Sequence, residues 1–274
     1  MREAPRNPVS KRRVSRIVPF VLALSAGFVL GTSASSGDPV VPCADPRGCP
    51  DLIVDAHKLN QWHVDQQTFA DTDCAVIEGE VTKQPGPHLL LRFTSNTPNY
   101  GQGDLIIGDP AAHPDWFMFQ NCHGHPHFKD YGDYRLWTQK DYSTWTTLRA
   151  AHPDMSSRDL LAHFPDVASK MVAGHKQGFC VIDVIPAAIP GTLPPRPPQY
   201  FSCTTNQGIS VGWADEYQFL LDGQWIDITD VPPGPYVLEV EVNAGHFFQE
   251  SDYSNNAAAV NIIVPDHPGR GPRH

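Results

Sequence analysis

The sequence predicts a mainly β protein, an antiparallel β-sandwich-like domain with long loops and a few short helices. Short apolar or alternating runs recur along most of the chain. Each is of strand length, rich in aromatic or branched residues, and bounded by Gly, Pro, Asn or Asp. Near the C-terminus, Leu238, Val240 and Val242 fall on one face of an alternating stretch, and Val237, Glu239 and Glu241 on the other. That is the pattern of a half-buried antiparallel strand. A hydrophobic fraction of 41% with 18% charged residues suits a globular protein that builds a core. The length of 274 residues allows one large domain or two small ones.

Residues 1–34 have the order of an export signal. Arg2, Arg6, Lys11, Arg12, Arg13 and Arg16 form a basic start, Ile17 to Leu30 an apolar run, and Thr32-Ser33-Ala34 a small-residue cleavage site. The run is short for a membrane span, and an uncleaved N-terminal anchor is the alternative. The residues after Arg12-Arg13 fit twin-arginine export poorly. Residues 35–50 read as a linker rich in Ser, Pro and Gly, with the folded part over 51–264 and a frayed tail at 265–274. Strands are expected at Leu89 to Phe93, Asp104 to Ile107, Trp116 to Phe119, Tyr134 to Trp137 and Ala257 to Val264. The interval from Ser143 to Val172 differs: Ser156 and Ser157 cap a helix reaching His163, and Pro165 limits it. Residues 186–199 are Pro-rich and read as an exposed loop. There is no internal repeat, Gly-rich phosphate loop or G-x-S-x-G elbow.

Six of the 20 basic residues and one of the 30 acidic residues lie in the first 34, leaving 14 against 29, a formal charge of −15. Such a surface repels nucleic acid and concentrates cations, protonated amines among them. Solubility outside the cell accounts for the charge equally well. Six cysteines in an exported chain suggest disulfides, and six allow fifteen pairings. Cys43 and Cys49 are close enough to close a small loop, whereas Cys74, Cys122, Cys180 and Cys203 are far apart in sequence.

The chemistry concentrates in Cys122-His123-Gly124-His125-Pro126-His127-Phe128. In an extended strand the three imidazoles point to one face, about 6.5–7 Å apart at each step. A modest bend, which Gly124 and Pro126 favour, converges them on one ion. Imidazoles suit Zn, Cu, Fe or Ni, and suit Mg or Ca poorly. Spacing alone leaves copper and zinc open, and a lone His of this kind is more often a surface bystander. Cys122 is either a further ligand or half of a bridge.

Four blocks in order resemble the catalytic domain of the lysyl oxidase family. Cys122-His123-Gly124-His125-Pro126-His127 is similar to that family's copper-binding C-H-x-H-x-H. Gly174-His175-Lys176-Gln177-Gly178-Phe179-Cys180 is similar to its G-H-K-x-x-F-C. The third block runs from Tyr217 to Gln224-Trp225-Ile226-Asp227-Ile228-Thr229-Asp230-Val231, and the fourth is Glu250-Ser251-Asp252-Tyr253-Ser254-Asn255-Asn256. The resemblance implies copper on His123, His125 and His127, and a lysine tyrosylquinone cofactor made from Lys176 and Tyr217. It also implies a Cys122–Cys203 bridge tying the copper strand to the segment before Tyr217, which leaves Cys74 with Cys180.

The implied activity is oxidative deamination of primary amines, either peptidyl lysine or small amines. Dioxygen is consumed, and aldehyde, hydrogen peroxide and ammonia are released by a secreted enzyme. Phe117-Met118-Phe119-Gln120 stands where the family has W-x-W-H, and Pro126 replaces a usual aromatic. Trp213 and Gly223 occupy the places of a cysteine pair of animal members, and the segment before Lys176 is longer. Asp215, Glu216, Asp222 and Asp227 lie near Tyr217 in sequence, with nothing to single out a catalytic base. Two other classes compete: a non-catalytic extracellular copper-binding β-sandwich module, and a β-sandwich interaction domain with incidental histidines. Lys176 and Tyr217 favour the enzyme, because copper binding needs neither.

Overall fold

The computed structural model describes residues 40–82, 84–120, 122, 124–129, 131–176, 178–187 and 197–266. The expected export signal at 1–34, His123, most of the Pro-rich 186–199 stretch and most of the expected tail at 265–274 lie outside the described residues. No described helix is long and apolar enough to cross a membrane.

The chain opens with α1 (Ala56–Leu59), β1 (Trp62–Phe69), α2 (Cys74–Ile77), β2 (Gly86–Phe93), β3 (Ser95–Pro98) and β4 (Leu105–Gly108). The hairpin of β5 (Phe117–Gln120) and β6 (His125–Phe128) follows, and then β7 (Gly132–Thr138). Next come α3 (Gln139–Ala151), α4 (Ser157–His163), α5 (Pro165–Ala168), β8 (Val172–Ala173) and β9 (Ile185–Pro186). The last strands are β10 (Gln207–Ile209), β11 (Trp213–Tyr217), β12 (Trp225–Asp227), β13 (Gly234–Val242) and β14 (Ala257–Val264). The fold is mainly β, and its strand pairs are antiparallel. Their orders are β1-β2-β12, β10-β4, β3-β11-β9, β14-β13-β7-β8 and β5-β6. The main core cluster, which includes Phe93, Phe128, Phe179, Ile226 and Leu238, joins side chains from these sheets, with smaller clusters around Trp225 and around Trp145. Its apolar contacts hold together sheets that are individually too small to be stable.

The expected strands are present with ends shifted by a few residues. The helix starting at Ser157 is capped as its sequence dictates, the Ser156 hydroxyl accepting from the Asp159 N–H at 3.1 Å. Pro165 begins α5 instead of merely ending α4, a first-turn position where its missing N–H costs nothing. Residues 40–50, which composition reads as linker, are docked. Val41 N–H donates to Phe247 O and accepts at its carbonyl from Gln249 N–H, both at 2.8 Å.

β13 departs from the half-buried expectation, because both its faces are covered. Glu239 and Glu241, expected toward water, are 0% and 3% exposed. α3 and α4, in the long segment after β7, bring Trp145, Arg149 and Ser157 to them, and β7 itself supplies Arg135 and Trp137. Glu239 accepts from the indole N–H of Trp137 (3.0 Å) and Trp145 (3.1 Å) and pairs with Arg135 and Arg149. Glu241 pairs with the same two arginines and accepts from Ser157 Oγ. Buried carboxylates persist only when satisfied in this way.

The bridges are Cys43–Cys49, as expected, together with Cys74–Cys122 and Cys180–Cys203. The Cys122–Cys203 bridge and the Cys74 with Cys180 pairing are therefore corrected. Cys122 sits in the β5–β6 turn against α2, where its N–H donates to Glu78 Oε1 and its Cα lies 5.8 Å from that of Cys74. Gln207 draws the Cys203 segment beside residue 181 by donating to Cys203 O and accepting from Val181 N–H, which leaves Cys180 and Cys203 5.2 Å apart. Both separations fall in the range a disulfide requires.

Gln224 to Val231 of the third sequence block and the whole of the fourth are scaffold. Gln224 joins Tyr134 and Ser95, the Trp225 indole donates to Glu80 O, and Asp227 accepts from His88, Thr82 and Thr229. Glu250 gathers Leu52 N–H and the side-chain amides of Asn243 and Asn256 within 2.6–2.7 Å, fastening the start of the fold to the β13–β14 loop.

Burial raises the Glu250 carboxyl to about 7 against these three donors. Native protein then holds a proton that the unfolded chain releases near 4.5, so this group's contribution to stability falls as pH rises from about 4.5 to about 7. Denaturant titrations across that window should show the decline. In Glu250→Gln that part of the slope should vanish, with lower stability throughout because one donor loses its acceptor. An unchanged slope in the variant would contradict the assignment.

Candidate metal and amine site

The histidine segment forms a hairpin, with Gln120 opposite His125 and Met118 opposite His127. His125 and His127, two apart on β6, share a face as the spacing predicts. Their Nε2 atoms are 2.9 Å apart and their rings meet edge to face. Two ring nitrogens at that separation can both bind one ion with bonds of about 2.0–2.1 Å, so the residues present fit a metal. His123 lies outside the described residues, so its part in the set stays an expectation from the sequence. The sulfurs of Cys180 and Cys203 lie within 4.8 Å of a His125 ring nitrogen. Their mutual bridge leaves no thiolate to ligate.

The lysine segment is threaded between β7 and β6. Gly174 N–H donates to Tyr134 O, and Phe179 exchanges both backbone hydrogen bonds with Phe128, at 2.7 and 3.0 Å. That pairing lays Gly178 against His127. A Cβ on Gly178 would stand 2.5 Å from the Cβ of His127, so no larger residue fits without displacing the imidazole.

Tyr217 ends β11, and its hydroxyl is clamped by one residue. It accepts from Cys180 N–H at 2.7 Å and donates to Cys180 O at 2.9 Å, while its ring meets Phe179 edge to face. Lys176 Nζ lies 5.2 Å from the centre of the Tyr217 ring and 5.4 Å from that of Phe179. The fold therefore brings Lys176, Tyr217, His125 and His127 around one cavity of about 290 Å³, which Leu221 and Asp222 also line.

Electrostatics sets the protonation states. Burial pushes the Lys176 amine below its ordinary value, against the opposing pull of Glu80, Asp215, Glu78 and Asp222. Burial drives the Asp215 carboxyl well up, opposed by Tyr131 and Lys176. It raises Glu80 likewise, with Lys176 again opposing. The Tyr217 phenol is held well above its usual range by burial and then by Asp215, so it stays protonated at neutral pH.

Neither carboxyl oxygen of Asp215, nor Glu80 Oε2, makes a hydrogen bond among the described residues. The Tyr131 hydroxyl beside Asp215 is engaged with Thr97 Oγ1. Gly223, at φ +72°, receives the Glu80 carboxylate, and a Cβ there would meet Glu80 Oε1 at 2.3 Å. A cysteine at 223 would be strained by that φ and would have to move the carboxylate aside.

Sequence reading missed Glu80, Gly178 and the separate places of Asp215 and Asp222. Alternation on β11 could have marked Asp215, which shares a strand face with Tyr217, whereas Glu216 turns the other way to Lys58 and Asn96. Glu80 is far from the motifs in sequence and carried no such signal.

A family model described as lysyl oxidase matches residues 128–269. Protein-lysine 6-oxidase of Gallus gallus is 30% identical over 232 residues, covering 80% of this chain and 46% of the relative. Lysyl oxidase homolog 1 of Homo sapiens is 30% identical over 238 residues, covering 83% of the chain and 35% of the relative. Protein-lysine 6-oxidase of Sus scrofa is 29% identical over 230 residues, with 80% and 78% covered. The chain spans about half or less of the length of the Gallus gallus and Homo sapiens proteins.

Gly178→Ala should weaken metal binding by about tenfold or more, the scale of losing a group that orients a ligand. A competition titration with a copper chelator measures it, and thermal unfolding of the metal-free variant separates the effect from misfolding. Wild-type affinity in the variant would show that Gly178 does not position His127.

Proposed function

The chain belongs to the lysyl oxidase family, and on that premise we propose that it is a copper- and lysine tyrosylquinone-dependent amine oxidase. It converts primary amines, either peptidyl lysine or small amines, to aldehydes with release of hydrogen peroxide and ammonia. The observation that carries the reading is the approach of Lys176 Nζ to 5.2 Å from the Tyr217 ring centre beside His125 and His127. A module that only bound copper would have no use for that adjacency.

His123, His125 and His127 hold the copper, which with dioxygen supplies the oxidising chemistry that turns the Tyr217 ring into a quinone joined to Lys176. Such a cofactor carries the hard step, and the chain supplies position and charge. The two bonds to Cys180 hold the Tyr217 ring with a face toward Lys176 Nζ. A free lysine amine is only about 0.04% neutral at pH 7, and the burial of Lys176 raises that share, giving a nitrogen able to form a bond. Phe179 packs against both groups and keeps water from the ring on that side. Three disulfides support a secreted protein, because such bridges persist in oxidising compartments.

Copper-loaded, oxygen-exposed protein should release peroxide from butylamine. Tyr217→Phe should abolish this while copper still binds, and Lys176→Arg should abolish it because a guanidinium stays protonated. Retained turnover in either variant would refute the cofactor assignment. Peroxide release from wild type that is absent without copper is the accompanying requirement.

A further inference from the structure

We propose that Asp222 is the residue that receives the ammonium group of the incoming amine. The proposal rests on the amine-oxidase reading above and deepens it. Asp222 is the one carboxylate among the residues lining the cavity shared by Lys176 and Tyr217. It is exposed and makes no hydrogen bond or ion pair among the described residues. Leu221 and the Tyr217 ring stand beside it, an apolar wall for an alkyl chain. The cavity volume is at the small end for ligand sites and suits a linear amine.

The surroundings of Lys176 explain why a cation should enter. Glu78, Glu80, Asp215 and Asp222 all favour the charged form of the Lys176 amine, while burial opposes it. When Nζ becomes bonded to the oxidised ring, its lone pair is drawn into that ring and the ammonium charge is lost. Asp222, the exposed member of the four, then lacks that amine as a counter-charge. A substrate ammonium restores it with the same chemical group. Glu80 and Asp215 are 3% and 1% exposed and burial moves both toward their neutral forms, so neither meets a ligand. Asp222 alone among these is both exposed and on the cavity wall. Copper on the histidines adds positive charge to the same cavity, which makes a carboxylate at the mouth more necessary for admitting a cation.

The test uses copper-loaded, oxygen-exposed full chain with butylamine as substrate and butyltrimethylammonium as a cation that cannot be oxidised. In Asp222→Asn, KM and the inhibition constant should both rise about tenfold or more, the cost of losing one charge-assisted contact. kcat should stay within about a factor of two of wild type, because a purely binding contact is lost. Asp222→Glu should keep most of both affinities. Calorimetric titration with butylammonium adds a readout free of turnover. Lys176→Met, which lacks the lysine charge, should bind it more tightly than Tyr217→Phe, which retains it, and adding Asp222→Asn should remove that gain. Wild-type KM and inhibition constant in Asp222→Asn, or equal binding with and without Asp222, would overturn the proposal. Wild type that oxidises no amine would instead overturn the enzyme reading, and the calorimetry still decides the role of Asp222.

Discussion

The pair of hydrogen bonds between Phe128 and Phe179 is the contact on which the site depends. Phe128 closes the histidine hairpin and Phe179 closes the lysine segment, and both rings lie in the core. Their backbone exchange sets the register that puts Gly178 on His127. One residue further on, Cys180 presents its N–H and carbonyl to the Tyr217 hydroxyl. A shift of one residue would turn every side chain of the lysine segment to its other face. Three parts of the sequence that are far apart thus meet through one short antiparallel contact.

Charge is the second constraint. The chain buries an unusual number of carboxylates and treats them in two ways. Glu239, Glu241 and Glu250 are saturated with donors and serve the fold. Asp215 and Glu80 are left with unpaired oxygens beside the lysine. Unpaired buried polar groups are costly, and here they stand around the Lys176 amine. The same burial that raises these carboxyls lowers the amine, so both move toward their neutral forms.

Much of this was legible in the sequence. Alternation announced β13, the run after Asn255-Asn256 announced β14, and Ser156 with Ser157 announced the start of α4. The H-x-H spacing correctly put His125 and His127 on one face. Pairwise chemistry between distant segments was not legible. α3 carries few apolar residues and buries Trp145 alone, so its pattern gave no amphipathic signal, and the acids it covers looked solvent-facing. The bridge partners of Cys122 and Cys203 depend on where a hairpin turn and Gln207 fall in space, which no spacing encodes. Gly223 in place of a cysteine becomes intelligible only once the Glu80 carboxylate is seen against it.

The central claim is that Lys176 and Tyr217 become one covalent group, and peptide mass spectrometry of copper-loaded, oxygen-exposed protein tests it most directly. A proteolytic digest should yield the Lys176 peptide joined to the Tyr217 peptide. The join should be absent from protein kept free of copper and from Tyr217→Phe. Recovery of both peptides separate and unmodified from material that still oxidises amines would contradict the account.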